Sequence, residues 1–130
     1  MRNKTYIRRG DIFMVELGEG CGTEQSGTRP GLVLQNNTGN KHSPSLVIAA
    51  LTCKMKKNKL PTHVFLPEVD GQISGSTVLL EQIRTIDKER LIRYMGHIES
   101  ESYMQQINKA LCISIGLTYD NVKEFIYDLV

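Results

Sequence analysis

At 130 residues, 40% of them apolar, the chain is sized for one domain with a packed core and leaves no room for a second. Three cysteines (Cys21, Cys53 and Cys112), odd in number and without Cys-x-x-Cys spacing, exclude a disulfide frame or a zinc site and suit a reducing cytoplasm. The net charge of +2 is unevenly spread: ten Lys/Arg against four Asp/Glu through Phe65, then six against ten.

The start, Met1-Arg2-Asn3-Lys4, leads into no apolar run, so no signal peptide is expected. No stretch reaches the ~20 apolar residues of a membrane span. The β-formers Ile12, Phe13 and Val15 predict a first strand over Asp11–Leu17. Gly18 to Thr28 follows, eleven residues holding four of the eleven glycines. A loop this long between short strands reads as a functional flap over a site.

Gly31–Gln35 is the second expected strand, and Pro30 in front of it pushes Arg29 into an extended backbone. A guanidinium fixed in this way, with forked donors, suits a phosphate better than a lysine would. A structural Arg–carboxylate pair is the equal alternative on these residues alone. Asn36-Asn37-Thr38-Gly39-Asn40 has turn chemistry. The continuously apolar Leu46–Leu51 is then expected as a central strand covered on both faces, with Thr52 sharing the side of Ile48 and Ala50. Lys54, Lys56, Lys57 and Lys59 form a basic loop that is either a solvated surface or a steering patch for a polyanion.

A short strand is expected at His63–Leu66, then turns around Asp70-Gly71 and Gly75. Thr77–Ile86 reads as one long strand, or two joined by a bend where Glu81-Gln82 breaks the apolar run. Asp87 suits the N-cap of a short helix from Lys88 to about Tyr94, stopped by Gly96. A longer helix begins near Ser100 or Ser102, with Met104, Ile107, Leu111 and Ile115 as its core stripe. Asn121–Val130 reads as a last helix. Strands first and helices afterwards indicate an α+β domain, a small bent antiparallel sheet or barrel flanked by helices. His42, His63 and His97 lack any partner pattern and read as surface or packing residues, and no Walker loop, nucleophile elbow, dinucleotide fingerprint or metal-ligand spacing is present.

Arg9-Gly10-Asp11-Ile12, Gly27-Thr28-Arg29-Pro30, Ala49-Ala50-Leu51-Thr52, Leu60-Pro61-Thr62-His63-Val64 and the run Leu79 to Asp87 (LLEQIRTID) closely resemble the MazF/PemK (Kid) toxins, in the right order. The resemblance spans about residues 8–117, leaves 118–130 as a C-terminal helical extension, and is strongest to the Gram-positive branch. It implies an SH3-like, five-stranded antiparallel β-barrel of MazF/CcdB/Kid type, working as a cytoplasmic homodimer without metal or cofactor. It further implies a toxin of a type II toxin–antitoxin system that cuts single-stranded mRNA at a short word, of the U-A-C-A-U type, leaving a 2′,3′-cyclic phosphate and a 5′-hydroxyl. Carried over by motif, the catalytic pair falls on Arg29 and Thr52, and RNA contacts fall on Thr23, Glu24, Gln25, Leu60 and Gln82. Lys54, opening the basic loop, joins them as an RNA-binding candidate, and Glu24 is the nearest carboxylate for proton transfer. The implied partner is a MazE-like antitoxin, an acidic segment folding along the basic groove. Two competing readings need neither Arg29 nor Thr52: a CcdB-like gyrase poison of the same fold, and a barrel that only docks a partner.

Overall fold

The computed structural model describes residues 6–53 and 60–119. Lys54 and the expected helix Asn121–Val130 lie outside the described residues. Six strands form one antiparallel sheet: β1 (Asp11–Glu16), β2 (Thr28–Val33), β3 (Ser45–Thr52), β4 (His63–Val69), β5 (Ile73–Asp87) and β6 (Leu91–His97), in the spatial order β4-β5-β3-β2-β1-β6. Two α-helices, α1 (Asn37–His42) and α2 (Glu101–Ile115), complete the described fold. The result is the expected α+β architecture, with six strands where the resemblance implied five.

β3 is apolar from Leu46 to Leu51 because both its faces are covered. Ala49 and Leu51 join Ile12, Leu32, Leu66, Val78, Leu80, Ile107 and Ala110 in one core. Leu46, Ile48 and Ala50 join Phe13, Val15, Val33, Ile86 and Leu91 in the other. Alternation of side chains along a strand sorts neighbouring residues into these two cores, so a slip of one register position would exchange them.

The long strand β5 bends as the Glu81-Gln82 break suggested. Between the pairs Ala49–Ile83 and Leu51–Val78, β3 advances two residues while β5 advances five, which places a bulge opposite Ala50. The half of β5 before the bulge also pairs with β4, from Val69–Ile73 to His63–Leu79.

Three expectations change. The asparagine-rich segment is not an open turn: the Asn36 side chain accepts from Gly39 N at 2.9 Å and caps the helical turn α1. Asp87 does cap, accepting from Glu89 N at 2.8 Å, but only a 3₁₀ turn over Lys88–Arg90; the expected helix to Tyr94 is instead β6. Leu91 to His97 pairs with β1 through two register irregularities, and tertiary pairing overrides a weak local helix signal there. In α2 the N-cap is Ser100, accepting from Tyr103 N at 3.2 Å, and Gly116 closes the helix in the left-handed region at φ 80°. Ile107 is fully buried, and Met104 and Leu111 pack against the core, but Ile115 is 53% exposed. The stripe therefore runs out of core one turn before the helix ends.

Candidate active site

β2 begins three residues earlier than the sequence suggested, so Arg29 and Pro30 are strand residues. Pro30 sits opposite Met14 and Arg29 opposite Val15. On the other side of β2, Gly31 pairs with Ala50 and Leu32 with Ala49. Continued by two residues, this register sets Arg29 across from Thr52, on the face that carries Gly31 and Ala50; direct neighbours of this kind stand about 5 Å apart at Cβ. The two residues thus occupy adjacent strand ends. Thr52 is 8% exposed and pairs along the ladder with Thr77 of β5.

Arg29 donates from Nε to the Ser26 carbonyl at 3.0 Å, and among the described residues no carboxylate pairs with it. A structural ion pair at Arg29 is therefore not found among the described residues. The guanidinium is anchored at one nitrogen and keeps its terminal donors for another acceptor.

The flap, residues 18–27, has a closed neck. Gly27 N donates to Gly18 O and Leu17 N to Gly27 O, each at 2.8 Å. Gly18 and Gly27 both lie at positive φ (75° and 73°), a conformation that glycine adopts without strain. Glu16 straddles the neck, accepting from Gly18 N at 2.6 Å and from Thr28 Oγ1 at 3.0 Å. The Gly18 bond is the main reason that the Glu16 carboxyl titrates below its ordinary range, with Thr28 next. Inside the flap, Glu24 Oε1 accepts from Cys21 N at 2.7 Å.

The flap lies over the β5 bulge. Gln82 Nε2 donates to Thr23 O at 3.3 Å, and Gln82 Oε1 accepts from Gln25 N at 3.4 Å. A cavity of about 400 Å³ between them is lined by Glu19, Glu24, Gln25, Ala50, Glu81, Gln82, Ile83 and Arg84. Ala50 ties this cavity to the catalytic candidates, because Thr52 lies two residues further along the same face of β3, about 7 Å away. The structure therefore gathers Glu24, Gln25 and Gln82 at the cavity, fastens Thr23 to Gln82, and sets Arg29 and Thr52 at the adjoining strand ends.

Leu60 is 51% exposed and joins the same region through His63. Leu60 N donates to His63 Nδ1 at 3.2 Å, and His63 Nε2 meets Glu81 Oε2 at 2.8 Å. Thr62 Oγ1 donates to the other Glu81 oxygen at 2.9 Å. Burial tends to raise the Glu81 carboxyl, but hydrogen bonds from His63, its own backbone and Thr62 outweigh it and hold the group below the usual carboxylate range. Glu81, His63 and Arg84 are site residues that sequence reasoning passed over. Arg84 Nη1 donates to the Leu17 carbonyl at the flap's origin, at 3.2 Å. The break in the apolar run at Glu81 and the two family motifs that contain these residues were the signals in the chain. His63 and Glu81 are eighteen residues apart, and only the β4–β5 pairing brings them together. Among the described residues no cluster of three or more potential metal ligands occurs.

Known proteins share this fold. An endoribonuclease solved in complex with its cognate antitoxin from a Mycobacterial species superposes with a TM-score of 0.71 at 29% identity, covering 87% of this chain and 98% of that one. A second endoribonuclease from a Mycobacterial species gives 0.68 at 28% identity over 85% and 92%. MazF from Deinococcus radiodurans gives 0.73 at 23% identity over 85% and 97%, a likeness of fold. The family model for the PemK-like, MazF-like toxin of type II toxin–antitoxin systems matches residues 8–115, a stretch that contains the flap, both strand ends and the β5 bulge. With the family model matching over that length and the fold agreeing, the chain belongs to the PemK-like, MazF-like toxin family.

Proposed function

We propose that this chain is the toxin of a type II toxin–antitoxin system and acts as a metal-independent endoribonuclease on single-stranded mRNA. The observation that supports the reading is Arg29: a guanidinium with no carboxylate partner among the described residues, near the start of β2, the strand paired with the β3 strand that ends at Thr52. Attack of a ribose 2′-hydroxyl on the adjacent phosphate gathers negative charge on the phosphorane oxygens. Donors aimed at such charge before reaction commonly supply the largest catalytic contribution. Arg29 donates to these oxygens, and the Thr52 hydroxyl holds a phosphate oxygen or the 2′-hydroxyl for in-line attack. The products are a 2′,3′-cyclic phosphate and a 5′-hydroxyl, and DNA is not cut because it lacks the attacking group.

Arginine stays protonated and supplies no base. Glu24 lines the cavity and is the carboxylate nearest the site for taking the 2′ proton. Bases of a short word, of the U-A-C-A-U type, are read by Thr23, Glu24, Gln25, Leu60 and Gln82, with Lys54 drawing the backbone in. The Gln82 amide must exchange its flap bonds for base edges as RNA enters, which couples reading to flap movement. The active form is a homodimer in the cytoplasm, held inactive by an acidic MazE-like antitoxin segment that competes with RNA for the groove.

The test is to incubate the purified chain with a long RNA in EDTA and sequence the ends. Cuts at one short word are expected, with cutting by folded Arg29→Ala or Thr52→Ala reduced at least about 100-fold. Cutting that needs added metal, or equal cutting by both folded variants, overturns the reading.

A further inference from the structure

We propose that His63 is a positioning residue that sets the word selectivity of the cleft, by clamping Leu60 to one side of its ring and Glu81 of the β5 bulge to the other. The inference rests on the ribonuclease reading and goes beyond it, since His63 itself meets no RNA. The His63 side chain is only 3% exposed, and both its ring nitrogens are in use. Its backbone N donates to Leu60 O at 3.0 Å while Nδ1 accepts from Leu60 N at 3.2 Å, so one residue brackets both polar backbone groups of Leu60. This fixes the tautomer: Nδ1 is the acceptor, so Nε2 carries the proton and donates it to Glu81 Oε2 at 2.8 Å.

These bonds are not needed to pair the strands. β4 and β5 already share a ladder from His63–Leu79 to Val69–Ile73, and the ring reaches past its ladder partner to Glu81, within the bulge. What the ring adds is a fixed distance between an exposed apolar side chain, Leu60, and the cavity wall at Glu81. Gln82, next along the bulge, holds the flap at Thr23 and Gln25. His63 thus joins the loop end to the bulge by hydrogen bonds, and the adjacent bulge residue Gln82 joins the bulge to the flap. Discrimination between bases depends on such placement, because a contact displaced by about 1 Å loses much of its worth.

Two variants divide the clamp. His63→Gln keeps an N–H donor in reach of Glu81 and loses the acceptor for Leu60, while His63→Asn keeps an acceptor beside Leu60 and loses reach to Glu81. Each is expected to raise KM for word-bearing RNA about tenfold with kcat within about twofold, and to cut the ratio of kcat/KM between the word and a one-base variant about tenfold. Nitrogen-15 NMR of the unmodified full chain is expected to show the neutral Nε2–H ring, and amide exchange at Leu60 is expected to quicken in His63→Gln only. An Nδ1–H ring, or unchanged selectivity in both folded variants, overturns the proposal. The tautomer and the Leu60 exchange are read without RNA, so they judge the clamp even if the wild-type chain cuts nothing, a result that would count against the ribonuclease reading alone.

Discussion

Two histidine–carboxylate pairs with nearly the same bond length mark opposite ends of the molecule. At the cleft, His63 meets Glu81 at 2.8 Å; at the start of β1, His97 meets Asp11 at 2.7 Å. The difference lies in what the carboxylate can still do. Asp11 is fully buried and spent on its own protein: it accepts from His97 Nδ1 and, through its second oxygen, from Arg8 N at 2.8 Å. Gly10 beside it has φ 96°, and a Cβ there would stand 3.1 Å from the His97 ring, so the packing leaves no slack. Arg9 completes this end, donating to the Leu34 carbonyl and to Asn108 Oδ1, each at 2.7 Å. Burial lowers the Arg9 pKa, and that one side chain ties α2 to the residue just after β2. Glu81 by contrast is 33% exposed and faces a cavity. The same pair of side chains is a structural staple when sealed and a cavity wall when its carboxylate stays partly exposed.

The largest effect should come from the open end. Arg29→Ala is expected to slow RNA cleavage about 10²–10³-fold, as loss of a single transition-state donor does, with the unfolding midpoint little changed. Single-turnover assays beside a urea melt check both halves. If the rate holds, the open end is not the working end.

The closed end should respond in the reverse sense. Asp11→Ala strips buried donors on His97 and Arg8 of their acceptor and should destabilise the fold by about 3 kcal/mol, read by urea denaturation. Glu81→Gln, at a partly exposed pair, should cost about 1 kcal/mol or less. Equal losses at both pairs would erase the distinction drawn between them.

Acid sharpens the contrast. The Glu81 carboxyl titrates lower when folded than when unfolded, so its stabilising contribution is complete above the unfolded carboxylate range and fades as pH falls through the folded value. The stability gap between wild type and Glu81→Gln should therefore be flat at neutral pH and close in acid, as measured by melts across pH 3–7 (about the span where carboxylates titrate). The smallest effect is chemical. Cys21 and Cys53 are exposed and should be alkylated readily, whereas Cys112 is buried, with its thiol pushed up by burial, and should react only on unfolding.

Much of this was legible in the chain. The two-sided burial of Leu46–Leu51, the glycine-rich flap, the bend at Glu81-Gln82, the Asp87 cap and the α2 core at Ile107 all follow from patterns that act over a few residues. The family motifs named Arg29 and Thr52, and alternation alone put Thr52 on the side of Ala50. Local chemistry misjudged Leu91–His97, whose strand state depends on β1 as a partner, and Ile115, whose exposure depends on where the sheet ends beneath α2.

What only the tertiary structure decided is which polar groups meet. Arg29 reaches Ser26 rather than a carboxylate, and Gln82 grips a flap more than fifty residues earlier in the chain. His63 finds Glu81 and His97 finds Asp11 across eighteen and eighty-six positions of sequence. The physical reason is one of range. Propensity, capping and side-chain alternation are settled between near neighbours, whereas a hydrogen bond forms only within about 3 Å, a distance that strand register and bulges set after the sheet has assembled.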